Sequence, residues 1–311
     1  MSKIAFVFPG QGAQYVGMAK EISEISEAAG NILDEATDAL EFDIRKMLFE
    51  SDDETLKITE NTQPAILAAS VACAQPLIEA GIRADYTAGL SLGEYTAHVI
   101  SGSITFKDAI KLVKKRGKYM QEAVPLGQGS MAAILGLSRE DVLETCRKAT
   151  AIGIVEPVNF NCPGQIVIAG EVTAVNEAIK IATKKGARRA MLLNVSAPFH
   201  SSMLKPAGEL LSKELENVDV KVMNIPVVTN VTGKIIESEA DIKDLMIRQV
   251  SNAVLWEDCV RTLIDKGVDT FIEIGPGKVL SGFIKKIDKT VRILNVDDKT
   301  SLDNTIAALK E

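Results

Sequence analysis

Residues 86–95 read YTAGLSLGEY, and within them Gly89-Leu90-Ser91-Leu92-Gly93 forms a Gly-x-Ser-x-Gly motif. The apolar run before the motif predicts a strand, and the residues after it have helical periodicity. Glycines at such a junction let the chain turn sharply and let the helix approach the strand, so that the serine hydroxyl projects at the helix N-terminus. Ser91 is therefore a candidate nucleophile; the alternative is an ordinary turn in which Ser91 only caps the helix.

A serine nucleophile needs a base within hydrogen-bond reach, and the chain contains only two histidines. His98 follows Ser91 on the same predicted helix at a distance of about 10 Å along the axis, which is too far for contact. We expect His98 to be a packing residue. Elimination leaves His200, in the proline-containing loop that ends the 131–195 segment, as the predicted general base.

An acyl transfer also needs hydrogen-bond donors for the negative charge that develops on the carbonyl oxygen. The Leu92 backbone N–H, directly after the nucleophile, is one candidate. Gln11 is a second candidate, because Pro9-Gly10-Gln11-Gly12 follows the first predicted strand and ligands bind beyond the carboxyl ends of parallel strands. The alternative for this segment is a simple glycine turn.

Strands and helices alternate through most of the chain, which predicts an α/β fold with a parallel sheet covered by helices. The predicted strands are 3–8, 86–90, 226–229 and 270–274, and the predicted helices are 64–80, 92–100, 106–123, 203–215 and 254–266. Residues 131–195 follow the order βαββαβ of the ferredoxin-like unit, with strands 131–136, 154–160, 165–169 and 189–195 and helices 139–149 and 172–185. Turn-rich segments flank this unit, so we predict a main domain of residues 1–127 and 197–311, an inserted subdomain of residues 128–196, and an active site between them.

Composition and charge exclude several classes of protein. The chain has 311 residues, of which 46% are hydrophobic and 25% charged, as in ordinary folded proteins. A formal net charge of -7 argues against a nucleic-acid binder. The first apolar run is too short for a signal peptide or a membrane span, and the four cysteines form no Cys-x-x-Cys pair. We therefore expect a cytoplasmic protein without a metal site and without membrane association.

Five motifs, taken together and in this order, resemble the malonyl-CoA:acyl carrier protein transacylase family of bacterial fatty-acid synthesis. They are Phe8-Pro9-Gly10-Gln11-Gly12, Gly89-x-Ser91-Leu92-Gly93-Glu94-Tyr95, Arg116-Gly117-x-x-Met120, Asn159-Phe160-Asn161-x-Pro163-Gly164-Gln165 and Glu273-x-Gly275-Pro276-Gly277-Lys278. The resemblance covers essentially the whole chain and implies an α/β-hydrolase-like large domain with an inserted ferredoxin-like subdomain. This chain departs from the family at Leu90, where the family usually has histidine, and at Ala253, where it tends to have proline.

The resemblance also implies roles for individual residues. Ser91 corresponds to the acylated nucleophile, His200 to its base, Gln11 and the Leu92 N–H to the oxyanion donors, and Gln249 to the residue whose main-chain carbonyl orients the histidine. Arg116 corresponds to the residue that holds the malonyl carboxylate, a role that suits a planar, permanently charged fork. Asn159 and Phe199 are expected among the substrate-binding residues, with Phe199 crowding a methyl branch on the malonyl group.

The implied reaction passes the malonyl group from malonyl-CoA through a serine ester to the pantetheine thiol of acyl carrier protein, with no cofactor. The expected partners are malonyl-CoA and a phosphopantetheinylated carrier protein, and the chain is expected to be a monomer. Because these carriers are acidic, we predict docking on the basic cluster Lys184, Lys185, Arg188 and Arg189, whose alternative is a solvated helix end. The competing functions are a serine thioesterase or hydrolase and a non-catalytic scaffold that binds acyl carriers.

Overall fold

The computed structural model describes residues 2–40, 42–195 and 197–310, which form two β-sheets flanked by helices. The strands are β1 Lys3–Phe8, β2 Tyr86–Gly89, β3 Gly129–Leu135, β4 Val155–Cys162, β5 Gln165–Glu171, β6 Arg189–Leu192, β7 Val227–Val228, β8 Val268–Ile274 and β9 Arg292–Val296. The helices are α1 Lys20–Ile25, α2 Glu27–Leu40, α3 Ile44–Glu50, α4 Asp53–Lys57, α5 Thr59–Glu79, α6 Leu92–Ser101, α7 Phe106–Glu122, α8 Arg139–Ala149, α9 Val172–Lys184, α10 Lys205–Glu216, α11 Ile242–Gln249, α12 Trp256–Asp265, α13 Val279–Ile287 and α14 Lys299–Lys310. No described helix combines the length and the apolar character that a membrane crossing requires.

The larger sheet is parallel and has the strand order β7-β2-β1-β8-β9. Side chains of β1 alternate between two apolar cores: Phe6 and Phe8 lie in one, and Ala5 and Val7 in the other. This explains why β1 is apolar throughout, since both faces of the sheet are covered. Phe8 pairs with Gly89 at the carboxyl ends of β1 and β2, so the loops that follow these strands meet at one edge.

Helix α6 begins directly after Ser91 and crosses very close to the sheet. A Cβ atom added at Gly89 would lie 1.9 Å from the carbonyl carbon of Gly93, and one added at Gly93 would lie 2.1 Å from the carbonyl oxygen of Phe8. No side chain fits in either space. The two glycines of the motif are therefore required by the close approach of α6 to β1 and β2.

The smaller sheet is antiparallel and has the order β4-β5-β3-β6. Helices α8 and α9 pack against one face and share an apolar core with it. Its other face contributes Met131 and Val167 to the large core. The backbone of Val254 joins the two parts, since its N–H donates to Val158 (2.8 Å) and its carbonyl accepts from Phe160 (2.9 Å).

Most predicted elements coincide with the structure, and β1 and α8 have the predicted bounds. The prediction that a helix begins at residue 64 is wrong, because α5 begins at Thr59. The carbonyl of Ile58 accepts the N–H groups of Asn61 and Thr62 at 2.8 Å, so the first turn closes before Pro64. Pro64, like Pro76 later in the same helix, leaves out one backbone hydrogen bond, which the rest of this long helix tolerates. The predicted strand 189–195 ends early, at Leu192, and the elements α1 to α4, α11, α13, β9 and α14 were not predicted.

The four cysteines are free and buried. Burial raises the pKa of the Cys146 thiol to about 12 and also raises the pKa of the Cys162 thiol. A buried thiol behaves as a small apolar side chain, and these residues belong to the packed interior.

The approach of α6 to β1 can be tested with two glycine substitutions. Gly93→Ala should lower the free energy of unfolding by at least about 2 kcal/mol, because the backbone must move to admit the methyl group. Gly282→Ala is the matched control in the interior of α13, where an added Cβ meets no atom within 4 Å, and it should raise the free energy by about 0.5–1 kcal/mol. Urea unfolding monitored by circular dichroism measures both, and a Gly93→Ala variant as stable as the unaltered protein would contradict the close approach.

Candidate active site

Ser91 occupies a strained backbone conformation between β2 and α6. Its φ of 53° and ψ of -105° are uncommon for a residue with a side chain and cost on the order of 1–3 kcal/mol. The Asn230 side chain stabilises the turn from both sides: its Oδ1 accepts the N–H of Ser91 (2.6 Å), and its Nδ2 donates to the Gly89 carbonyl (2.7 Å). The strain directs the Ser91 hydroxyl away from the sheet, as the motif predicts.

His200 contacts the Ser91 hydroxyl. Its Nε2 lies 2.7 Å from Ser91 Oγ, and its Nδ1 lies 2.8 Å from the main-chain carbonyl of Gln249. A carbonyl can only accept, so Nδ1 carries the proton and Nε2 is left to accept the hydrogen bond from Ser91. The structure thus places the predicted base beside the predicted nucleophile, in the tautomer that can remove a proton.

The pKa of His200 is lowered to about 3, first because the ring is buried and second because the positive charge of Arg116 lies nearby. Both causes disfavour the imidazolium ion. His200 is therefore neutral at the pH values at which most enzymes work, and neutral imidazole is the form that accepts a proton.

Arg116 is the inward-facing member of the basic stretch on α7, with 1% of its surface exposed. Its Nη1 donates to Gln63 Oε1 (2.8 Å), and its Nη2 donates to Ser91 Oγ (3.1 Å) and to Gln249 Oε1 (3.0 Å). Its guanidinium also lies 5.1 Å from the centre of the Tyr95 ring. These acceptors are uncharged, so the cation stands next to the nucleophile with capacity for an anionic ligand.

The predicted oxyanion donors also lie at this site. Leu92 is the first residue of α6, where backbone N–H groups have no partner within the helix. The turn that carries Gln11 packs on the elbow, since a Cβ atom added at Gly10 would lie 2.5 Å from the Leu90 carbonyl oxygen. The Gln11 side chain is exposed, and its Nε2 donates to Thr59 Oγ1 (3.2 Å) at the start of α5.

A cavity of about 610 Å³ opens between the two sheets. Its lining includes seven of the eight predicted site residues, namely Gln11, Ser91, Leu92, Arg116, Asn159, Phe199 and His200. Gln249, the eighth, is fully buried behind His200. The smaller sheet contributes Asn159, Asn161 and Val167 to the lining, so the site lies between the two parts of the fold, where it was expected.

His98 lies in the interior of α6, away from the cavity. Its Nδ1 lies 2.9 Å from Ser103 Oγ, and burial lowers its pKa to about 4. The described residues contain no group of three or more histidine, cysteine, aspartate or glutamate side chains arranged to hold a metal ion.

Sequence reasoning missed three residues of the site: Gln63, Glu94 and Asn230. Asn230 could have been found, because it follows a strand of the parallel sheet at the edge where ligands bind. Glu94 lies inside the second motif but was given no role. Gln63 precedes a proline in a helix of mostly apolar residues, and nothing in that pattern indicates a contact with α7.

Comparisons with known proteins agree with this geometry. Residues 5–305 match the family model described as the acyl transferase domain. A malonyl CoA-acyl carrier protein transacylase from Bacillus subtilis is 47% identical over 312 residues, which cover 100% of this chain and 98% of that protein. A solved structure of a malonyl CoA-acyl carrier protein transacylase from Clostridium perfringens has a TM-score of 0.97 and 46% identity, over 99% of this chain and 98% of that one.

A second solved structure contains a partner. It is a type II PKS acyl-carrier protein in complex with its malonyl-transacylase, and it matches this chain with a TM-score of 0.96 and 42% identity, over 99% of this chain and 100% of that one.

The lowered pKa of His200 predicts a flat pH profile. The neutral ring is the active form, so the reaction of Ser91 with an activated ester such as p-nitrophenyl acetate should keep its rate as the pH falls from 8 to about 5, and decline only toward the folded-state pKa of about 3. Intact-protein mass spectrometry of the Ser91 adduct measures the rate, and circular dichroism at each pH controls for unfolding. A decline centred near 6.5, the ordinary histidine value, would contradict the assignment.

Proposed function

The chain belongs to the acyl transferase domain family, and on that premise we propose that it transfers the malonyl group from malonyl-CoA to the pantetheine thiol of acyl carrier protein, which supplies fatty-acid chain elongation. One observation carries this choice of acyl group: Arg116 Nη2 lies 3.1 Å from Ser91 Oγ. A malonyl group has its free carboxylate one methylene away from the reacting carbonyl. An ester on Ser91 therefore brings that carboxylate within reach of the guanidinium, whereas an acetyl group offers the guanidinium nothing to bind.

In the first half-reaction, the Ser91 hydroxyl gives its proton to His200 Nε2 while its oxygen attacks the thioester carbonyl. The carbonyl electron pair moves to oxygen and a tetrahedral intermediate forms. When the carbon–sulfur bond breaks, the sulfur takes the proton from Nε2 and coenzyme A leaves as a thiol. The malonyl group remains on Ser91 as an ester.

The second half-reaction repeats these steps with a different nucleophile. The pantetheine thiol of the carrier protein gives its proton to His200, its sulfur attacks the ester, and the carbon–oxygen bond breaks as Ser91 Oγ recovers the proton. The thioester of coenzyme A, the serine ester and the carrier thioester are similar in energy. The proposed mechanism therefore needs no cofactor to drive the transfer.

We propose that the Leu92 N–H and Gln11 donate hydrogen bonds to the oxyanion of the tetrahedral intermediate. The N-terminal end of α6 adds its positive dipole at the same place. His200 keeps its orientation through the Gln249 carbonyl, which replaces the acidic third member of a usual triad. Asn159, on the opposite wall of the cavity, is proposed to contact the bound acyl thioester.

The division of the fold remains a proposal. We propose that residues 1–127 and 197–311 form an α/β-hydrolase-like domain and that residues 128–196 form a ferredoxin-like subdomain. The βαββαβ element order and the antiparallel order β4-β5-β3-β6 support the second description, and the parallel five-stranded sheet with its elbow supports the first. Ser196, the last residue of the proposed subdomain, lies outside the described residues.

Three further expectations stay predictions: the cytoplasmic location, the monomeric state and the basic docking surface. Within that surface Lys184, Arg188 and Arg189 are exposed. Lys185 is engaged by Asp141 (2.8 Å) and Glu144 (2.5 Å), so the charge it offers an acidic carrier is reduced. The hydrolase and scaffold alternatives are disfavoured, because the full-length relatives are named transacylases and the nucleophile, base and arginine are assembled.

Acyl-adduct measurements test the proposed function. Malonyl-CoA should add a malonyl group to the protein, and Ser91→Ala should abolish this adduct. Arg116→Ala should lower the rate of malonylation relative to that of acetylation by at least about thirty-fold. This factor corresponds to the lower end of the free energy lost when a buried charge contact is removed. Lys118→Ala, an exposed change on the same helix, is the control and should leave the ratio unchanged. Intact-protein mass spectrometry after rapid mixing reads each rate, and release of free malonate without an adduct would support the hydrolase.

Phe199 provides a test of the cavity wall. This side chain is buried and lines the cavity next to His200, where it would crowd a methyl branch on the malonyl carbon. Phe199→Ser should raise the ratio of methylmalonyl to malonyl transfer, measured by competition between the two thioesters. An unchanged ratio would remove Phe199 from the determinants of specificity.

A further inference from the structure

Glu94 is a buried carboxylate next to the active site that the mechanism above does not use. It lies on α6 with none of its surface exposed, and it does not line the cavity. Its Oε1 accepts from Thr229 Oγ1 (2.9 Å), and its Oε2 accepts from the Asn230 N–H (2.8 Å) and from Gln249 Nε2 (2.8 Å). Burial raises the pKa of Glu94, and the three donors oppose that shift.

The Gln249 side chain connects Glu94 to Arg116. Its Nε2 donates to Glu94 Oε2 and to the Ser91 main-chain carbonyl (3.1 Å), and its Oε1 accepts from Arg116 Nη2 (3.0 Å). If the amide were rotated by 180°, its NH₂ group would face the guanidinium donors and its oxygen would face a carboxylate and a carbonyl. Glu94 therefore selects the one orientation in which Gln249 can accept from Arg116.

This orientation matters because Nη2 is the arginine nitrogen nearest the nucleophile. Arginine has a long side chain with several rotatable bonds, and its other anchors are Gln63 on Nη1 and the Tyr95 ring. When a bound substrate replaces the contact between Arg116 Nη2 and Ser91 Oγ, the Gln249 side-chain oxygen is the buried acceptor that still holds Nη2 in position. A displacement of about 1 Å in such a group can cost on the order of a hundred-fold in rate.

We propose that Glu94 and the side chain of Gln249 are positioning residues that hold Arg116 in place, and that they thereby set the preference of Ser91 for acyl groups that carry a carboxylate. The proposal rests on the proposed function. It divides Gln249 between two tasks: the main-chain carbonyl orients His200, and the side-chain amide orients Arg116.

The first test is Gln249→Met, which keeps the main-chain carbonyl and nearly the same volume but removes both ends of the amide. The rate of malonylation of Ser91 divided by the rate of its acetylation should fall about ten- to hundred-fold, which is what a hydrogen bond to a charged group contributes. Rapid mixing with malonyl-CoA or acetyl-CoA followed by intact-protein mass spectrometry gives both rates. Equal losses of both rates would overturn the proposal, because a general structural defect affects them alike.

The second test asks whether Glu94 acts through Gln249. Glu94→Gln removes the negative charge to which Gln249 Nε2 donates but leaves the Ser91 carbonyl as its other acceptor, so the Gln249 amide is held less firmly and the same ratio should fall by a smaller factor. In the Gln249→Met background, Glu94→Gln should then produce no further fall, because the path to Arg116 is already broken. Independent, multiplicative effects would show that Glu94 does not act through Gln249.

Glu273→Gln is the matched control. Glu273 is also a fully buried glutamate, and it accepts the backbone N–H groups of Leu280 (3.0 Å) and Ser281 (2.7 Å) at the start of α13, without contact to Arg116. This variant should lower thermal stability while the malonyl-to-acetyl ratio stays the same. If the unaltered protein itself forms no malonyl adduct, the proposed function fails; if it does and the Gln249→Met ratio stays normal, only the positioning role fails.

Discussion

The structure depends on how closely helix α6 approaches the parallel sheet. Gly89 and Gly93 leave no room for a side chain between β1, β2 and the helix, so the chain must turn at Ser91 within a single residue. That turn imposes the positive φ of Ser91, and the Asn230 side chain stabilises it from both sides. The Ser91 hydroxyl, the first N–H groups of α6 and the buried Glu94 all take their positions from this one junction.

Sequence reasoning succeeded where the chemistry is local. The elbow motif predicted that Ser91 lies at the turn, and the scarcity of histidine predicted that His200 lies beside it. The two side chains do meet at 2.7 Å, although 109 residues separate them in the sequence. The prediction of Arg116 as a site residue depended on the family resemblance, because the residues around it on α7 are equally basic. Only tertiary packing shows which of them faces inward.

Other features of the fold and site had no local signal. The position of Asn230 after a parallel strand indicates only that it lies near the site. Its contacts with Gly89 and Ser91, like those of Gln63 with Arg116, join distant segments and have no signal in the surrounding sequence. Helix α5 begins earlier than predicted. The prediction took Pro64 as the first helical residue, where proline is common, whereas the structure places Pro64 one turn inside the helix. Strand β9 lies at the edge of the sheet, and of its five side chains only Val296 is fully buried, so its apolar pattern is weak.

The buried cysteines have a consequence for the chemistry of thiols. The proposed reaction releases one free thiol, coenzyme A, and admits another, the carrier's pantetheine arm, through the same cavity. An exposed cysteine beside that route could form a mixed disulfide with either of them under oxidising conditions, because exchange requires an accessible thiolate. The four cysteines of this chain are buried, and raised pKa values keep Cys146 and Cys162 protonated, so the thiols that pass through meet no reactive partner on the wall.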